Sequence, residues 1–312
     1  MQGWTEADMP DLSGKRVLVT GGASGIGYEA ARALAEHGAH VLIADRNEQG
    51  GRDAVTRIHS LKRDANVEFR SLDLSSLDAV TQFATALVAE GGKLDILVNN
   101  AGIQPISERR ESTDGFELTF GIGHLGHFVL TARLWPLLLA APEPRVVTVS
   151  SMVHGRGRFD WDDLQITRGY AAQRPYNQTK LANLLFAREL QRRVHLSGGK
   201  VKSIAVHPGV AQTSIGSNRR QLGAFRLGDH VISVILRFVM PYLGQPASEG
   251  ALPTMYAASA PDVQGGDFYG PTGFGEMKGP PGPARTKPAG QDMEQARKLW
   301  DVTEELTGVT FL

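Results

Sequence analysis

The sequence predicts an α/β fold, a single doubly wound domain with a mostly parallel seven-stranded sheet and helices on both faces. Three observations predict it. From Lys15 onward, short β-branched runs alternate with helical patterns, as βαβ units require. Runs such as 16–20 and 40–44 are short, apolar at their centres and rich in β-branched residues, as expected for strands covered on both sides. A glycine-rich turn joins the first run to the first helical pattern. With 312 residues and 41% apolar content, the chain has material for one large core, and 1–312 is read as one unit.

The strands expected are "RVLVT" (16–20), "HVLIA" (40–44), "VEFRSL" (67–72), "LDILVN" (94–99), "RVVTVS" (145–150), "VKSIAVH" (201–207) and a short seventh at "DFYG" (267–270). Helical patterns fall near 25–37, 48–60, 76–90, 113–140 and 176–195, and there is no internal repeat. The region 211–250 follows the sixth strand and carries Ile215, Leu222, Phe225, Leu227 and the run "VISVILRFVM", so it is read as a cover over a lipophilic substrate. Arg219, Arg220 and Arg226 could meet an anionic group there, or simply be solvated. Gly and Pro dominate 270–290, which reads as a surface loop. A final amphipathic helix offers Ala296, Leu299, Trp300 and Leu306 as a docking face, with Gly308 as its stop.

Composition excludes several functions. Lys plus Arg equals Asp plus Glu at 33 each, so there is no basic surplus for nucleic acid or an anionic bilayer. The absence of cysteine removes disulfides, thiolate nucleophiles and cysteine-ligated zinc. The N-terminus has no cationic start and no apolar core, and the longest apolar stretch, 231–243, is broken by Arg237 and Pro241. No signal peptide or transmembrane segment is expected, and a cytoplasmic location is inferred.

The first chemical signal is "VTGGASGIGYEAARALAEHGAHVLIADRN". A buried strand ends at Thr20, glycines follow at Gly21, Gly25 and Gly27, and a helix opens within the loop. Backbone N–H groups at a helix start suit a pyrophosphate, the Rossmann-type arrangement. Asp45, ending the second strand, can accept hydrogen bonds from adenosine ribose hydroxyls and repels a 2′-phosphate, which favours NAD(H). Arg46 beside it leaves NADP(H) open. Gly21, Ser24, Gly25, Ile26, Gly27, Asp45 and Arg46 are therefore assigned to the cofactor. Asp73 and Leu74 in "SLDLSS" lie near the adenine position, although Asp73 could instead cap the next helix. Asn100, Ala101 and Gly102 in "LVNNAG" permit close approach of a ribose.

The second signal is "PYNQTKLANLLF". Tyr176 and Lys180 are i and i+4, so both rise on one helix face while Leu181, Leu184 and Leu185 turn inward. A phenol near pKa 10 is a poor base at neutral pH; a neighbouring ammonium favours its phenolate. Proton transfer at the carboxyl edge of the sheet then becomes feasible.

"TGGASGIG", "LVNNAG", "VSS", "YNQTK" and "HPGVAQT" occur in the order and approximate spacing of the short-chain dehydrogenase/reductase family, which the chain resembles from about Gly14 to Gly270. "DGFELTFGIGHLGHFVLT", "FDWDDL" and "LANLLFARELQRR" look like the branch that includes retinol dehydrogenases. The resemblance implies that Ser151, Tyr176 and Lys180 form the catalytic group, Ser151 steadying the substrate oxygen, Tyr176 exchanging the proton and Lys180 holding the ribose. Tyr176 and Lys180 thus count as cofactor contacts too. Ser150 is a neighbouring candidate for the serine. The resemblance also places Pro208, Val210 and Thr213 near the carboxamide or phosphates, and implies pairing through the long helices as a homodimer or homotetramer.

One position departs from the branch. Where "NHLGHF" is usual, this chain reads "GHLGHF", with Gly123 replacing an asparagine that supports a proton relay. Gly121 and Gly123 each cost about 1 kcal/mol against alanine inside a helix, so a kink is expected there. His124 or His127 could substitute in the relay; as i, i+3 histidines without a carboxylate they read as packing residues, and no metal site is expected. His154 could line the substrate pocket or sit in a solvated loop. Three functions are compatible with the sequence: an NAD(H)-dependent oxidoreductase on a lipophilic alcohol, ketone or aldehyde; an NADPH-preferring carbonyl reductase; or a low-turnover nucleotide-binding sensor or scaffold.

Overall fold

The computed structural model describes residues 3–210 and 245–312. Its parallel strands are β1 (Arg16–Thr20), β2 (His40–Asp45), β3 (Val67–Ser71), β4 (Ile96–Asn99), β5 (Arg145–Val149), β6 (Lys202–Val206) and β7 (Phe268–Pro271). The strand order is 3-2-1-4-5-6-7-8, so the chain reverses direction across the sheet between β1 and β4. Thr20, Asp45, Asn99 and Val149 thereby end at one carboxyl edge, where ligands of open α/β sheets bind.

The pleat sorts each strand between two cores. Val17, Val19, Val41, Ile43, Ile96 and Val98 face a core shared with α1 (Gly25–Glu36) and α2 (Glu48–Leu61), whereas Leu18, Leu42 and Leu97 face the opposite side. That second side is covered by α3 (Leu77–Ala89) and by a helical run after β4. The run consists of α4 (Leu118–Phe120), a π-helical turn (Gly121–Leu125), α5 (Gly126–Arg133) and α6 (Trp135–Leu139). Where a kink is expected, at Gly121 and Gly123, the chain forms this π-helical turn: the Gly126 N–H reaches back five residues to the Gly121 carbonyl. α7 (Gln173–Leu196), bearing Tyr176 and Lys180, packs on β5 and β6.

The structure departs from expectation in two places. The sheet has eight strands among the described residues, not seven. β8 (Pro281–Pro283) pairs antiparallel with β7 inside the segment expected to be a free loop, which is permissible because prolines are tolerated on an edge strand. The proposed cover, 211–250, lies outside the described residues up to 244, including Thr213 and the three arginines. Its last residues begin a helix unanticipated from the sequence, α8 (Ala247–Ser259), which packs on α1 through small buried residues such as Ala251 and Ala258. Pro253 inside it hid the pattern.

The C-terminal helix α9 (Met293–Thr307) forms as expected. Asp292 caps it, Gly308 ends it at φ 64°, and Ala296, Leu299 and Trp300 are buried, with Leu306 partly so. The Trp300 ring stacks on Phe186 of α7 (5.8 Å, 13°) and meets the Phe128 ring of α5 edge-on at 5.0 Å. Among the described residues, no helix is long and apolar enough to cross a membrane.

Candidate active site

Thr20 organises the glycine loop. Its backbone carbonyl accepts from the Asn100 side chain at 2.8 Å, and its hydroxyl accepts from the backbone N–H groups of Asn100 (3.0 Å) and Ala101 (3.1 Å). The ends of β1 and β4 are thus locked together. Gly21 has φ +68°, a conformation that L side chains rarely adopt. A Cβ on Gly27 would stand 2.3 Å from the Gly21 carbonyl oxygen and 2.4 Å from the Asn100 side chain. Only a bare backbone fits, and such a cradle suits a pyrophosphate at the start of α1, with Ser24, Gly25 and Ile26 forming its mouth. The residues present therefore fit a dinucleotide.

Asp45 accepts from the Asn47 N–H at 2.9 Å and the Ala23 N–H at 3.3 Å, which fixes its carboxylate beside the loop while leaving lone pairs for further donors. Arg46 is exposed and forms no ion pair among the described residues. Asp73 does not cap α3; Ser76 does, and Asp73 instead turns the chain by accepting from the Ser75 N–H and hydroxyl. Leu74 is buried beside Gly126, while Ala101 and Gly102 line the open edge. Beyond β6, Pro208 and Val210 are tied to Gln245: its side chain donates to the Pro208 carbonyl and its N–H to that of Val210.

The two serines after β5 have different fates. Ser150 is buried, and its hydroxyl donates to the Lys180 carbonyl at 2.6 Å, so it is committed to holding α7. Ser151 caps a 3-10 turn (Met152–Arg156), its hydroxyl accepts from the Val153 N–H at 3.3 Å, and it lies near enough to the Tyr176 phenol to favour the phenolate. The Lys180 ammonium lies 5.7 Å from the Tyr176 ring centroid and donates to the Val149 carbonyl at 3.1 Å, an acceptor shared with Asn183. Ser151, Tyr176 and Lys180 thus converge between β5 and α7. The electrostatics differ from expectation. In the protein alone, burial raises the Tyr176 pKa and the Ser151 hydroxyl opposes it, whereas Lys180 is itself pushed down to about 8 by burial.

Among the described residues no three His, Asp or Glu side chains are grouped so as to hold a metal ion. His127 Nδ1 faces the Gly123 carbonyl, so this nitrogen carries the proton and Nε2 accepts from the Thr20 hydroxyl at 2.8 Å. His124 contacts the Thr303 hydroxyl of α9 and the Asn183 side chain. Burial pushes His124 down to about 3 and His127 to about 4. His154 does not face solvent; it is buried. Sequence reasoning overlooked Asn183 and the Thr20 hydroxyl as site residues. An asparagine on the inward face of an otherwise apolar helix was the available signal for the first.

The profile of the short chain dehydrogenase family matches residues 15–222. Retinol dehydrogenase 12 of Mus musculus is 36% identical over 300 residues, covering 96% of this chain and 88% of that protein. A polyprenol dehydrogenase of Danio rerio is 39% identical over 270 residues, covering 84% and 79%. Among solved structures, an uncharacterised protein of Mycobacterium Paratuberculosis covers both chains fully at 36% identity with a TM-score of 0.80. A short chain dehydrogenase from Shigella flexneri complexed with NADP shares the fold at 21% identity, with a TM-score of 0.63 over 84% of this chain and 98% of that one.

Proposed function

Since the chain belongs to the short-chain dehydrogenase/reductase family, in its retinol-dehydrogenase-like branch, and is an NAD(P)-dependent oxidoreductase, we propose that it interconverts a lipophilic primary alcohol and its aldehyde, or the secondary alcohol and ketone, with Tyr176 as acid and base. The observation that carries this reading is the convergence of the Ser151 hydroxyl, the Tyr176 phenol and the Lys180 ammonium at the carboxyl edge. The names of the retinol and polyprenol relatives support a lipophilic substrate, as does the apolar composition of 211–244.

When bound, the nicotinamide supplies or accepts the hydride. Ser151 donates a hydrogen bond to the substrate oxygen and stabilises charge as it develops there. In reduction Tyr176 gives its proton to that oxygen; in oxidation the phenolate takes it back. Lys180 spends one N–H on Val149, which leaves two for the ribose hydroxyls. Its positive charge then opposes the burial that raises the phenol. Gly21 and Gly27 would admit the pyrophosphate, Asp45 would accept from the adenosine ribose hydroxyls, and Asn100, Ala101 and Gly102 would permit close approach of a ribose. By resemblance Pro208 and Val210 would lie near the carboxamide or phosphates, as would Thr213, which is outside the described residues.

Asp45 makes NAD(H) the preferred cofactor. The unpaired Arg46 favours a second reading, in which a 2′-phosphate is accommodated and the enzyme works as an NADPH reductase. Pairing as a homodimer or homotetramer remains what the resemblance implies, and Trp300 covers part of the α5–α7 surface. Fluorescence titration with NADH and NADPH, followed by turnover assays with all-trans-retinaldehyde and decanal, tests the assignment. Tyr176→Phe is expected to abolish turnover and leave the NADH Kd within about twofold. Retained turnover in that variant would remove Tyr176 from the mechanism.

A further inference from the structure

The segment 271–291, nearly all of it in the stretch 270–290 that reads as a surface loop, is fastened to the candidate site near both ends. At one end the Met277 carbonyl accepts from the Val210 N–H at 2.8 Å, and it lies so close to Gly209 that a Cβ there would stand 2.3 Å away. Glu276 reaches the buried His207 at 3.3 Å and accepts from the Arg285 N–H. At the other end Arg188 of α7 donates to the Gly290 carbonyl (2.6 Å) and the Thr286 hydroxyl (2.9 Å). A Cβ on Gly155 would stand 2.5 Å from Lys287 Cγ.

His154 joins this strap to the serine. The Lys287 backbone N–H donates to His154 Nε2 at 3.1 Å, and a backbone amide can only donate, so Nε2 is unprotonated. The ring proton must then reside on Nδ1, which donates to the Ser151 carbonyl at 2.8 Å. The ring is 2% exposed and edge-on to Phe268 at 5.2 Å, so its orientation is held by packing as well as by two bonds.

We propose that His154 is a positioning residue: clasped between Lys287 and Ser151, it holds the serine hydroxyl against Tyr176 and couples that placement to the strap that also grips Val210. The inference rests on the reading of Ser151 as catalytic. It implies that the strap is part of the catalytic frame, because one segment braces the serine on one side and the loop after β6 on the other.

The test is a double-mutant cycle in kcat with all-trans-retinaldehyde and NADH, using Ser151→Ala, His154→Leu and the pair. His154→Leu keeps bulk but removes both hydrogen bonds. It is expected to lower kcat by about 10- to 100-fold, the effect of a misplaced group, while the NADH Kd stays within about twofold. Ser151→Ala/His154→Leu is then no slower than Ser151→Ala, since no hydroxyl remains to be misplaced. His154→Gln, which retains a donor and an acceptor, restores most of the rate. Should His154→Leu fail to fold, Lys287→Pro carries the test. Lys287 has φ −73°, which proline adopts, and the substitution deletes the N–H without touching the site; kcat should fall about 3- to 10-fold. Wild-type kcat in His154→Leu, or in Lys287→Pro where it replaces that variant, or losses that multiply in the double variant, would overturn the clasp alone. Full activity in Ser151→Ala would instead overturn the site assignment, and the clasp with it.

Discussion

Placing a methyl group on Gly123 tests how this chain accommodates the glycine that stands where its branch carries asparagine. A Cβ there would stand 2.6 Å from Thr179 Cγ2 on α7. Thr179 is 2% exposed and its hydroxyl donates to the Pro175 carbonyl at 2.8 Å, so the methyl cannot swing aside without breaking that bond. Helix propensity favours alanine by about 1 kcal/mol, whereas overpacking costs about 1–3 kcal/mol. Gly123→Ala should therefore range from neutral to about 2 kcal/mol less stable. Thr179→Ser removes the opposing methyl and alone costs about 1 kcal/mol. In the double variant the new methyl enters the vacated space, which predicts a favourable coupling of about 1–3 kcal/mol. Denaturant unfolding of the four proteins measures it. Effects that add within about 0.5 kcal/mol, or a Gly123→Ala protein more stable than the parent, would refute the steric argument. The same geometry says that Gly123→Asn should be combined with Thr179→Ser before its effect on turnover is interpreted.

Two further outcomes follow from the geometry. Gly27→Ala puts a Cβ 2.3 Å from the Gly21 carbonyl, and NADH affinity should fall at least tenfold, about 1.4 kcal/mol, in a fluorescence titration; unchanged affinity would place the dinucleotide elsewhere. His124 and His127 are held neutral when folded, at about 3 and about 4 against 6.5 unfolded, so below pH 6.5 the unfolded chain binds protons that the folded one does not. Their contribution is complete above that value and lost as pH falls. At pH 5.5 the loss is about 3 kcal/mol for the pair, and a stability flat between pH 7.5 and 5.5 would contradict it.

By itself the sequence determined the parallel strands, the glycine cradle, the Asp45 position and the Tyr176–Lys180 pair, because each is written within a few residues of chain: an apolar run, a bare-backbone turn, a helical spacing. An irregularity at Gly121 and Gly123 was also legible, since helix propensity is local, although its π-helical form was not. What needed the tertiary structure was every relation between distant residues. Ser150 and Ser151 are adjacent and chemically identical, and only the packing of α7 shows that one hydroxyl is bound to Lys180 while the other reaches Tyr176. The edge strand β8, the clasp from Lys287 to His154 and the contact of Gly123 with Thr179 likewise depend on which surfaces meet. A hydrogen bond or a steric clash is decided within a few ångströms, and sequence distance carries no such information until the chain is packed.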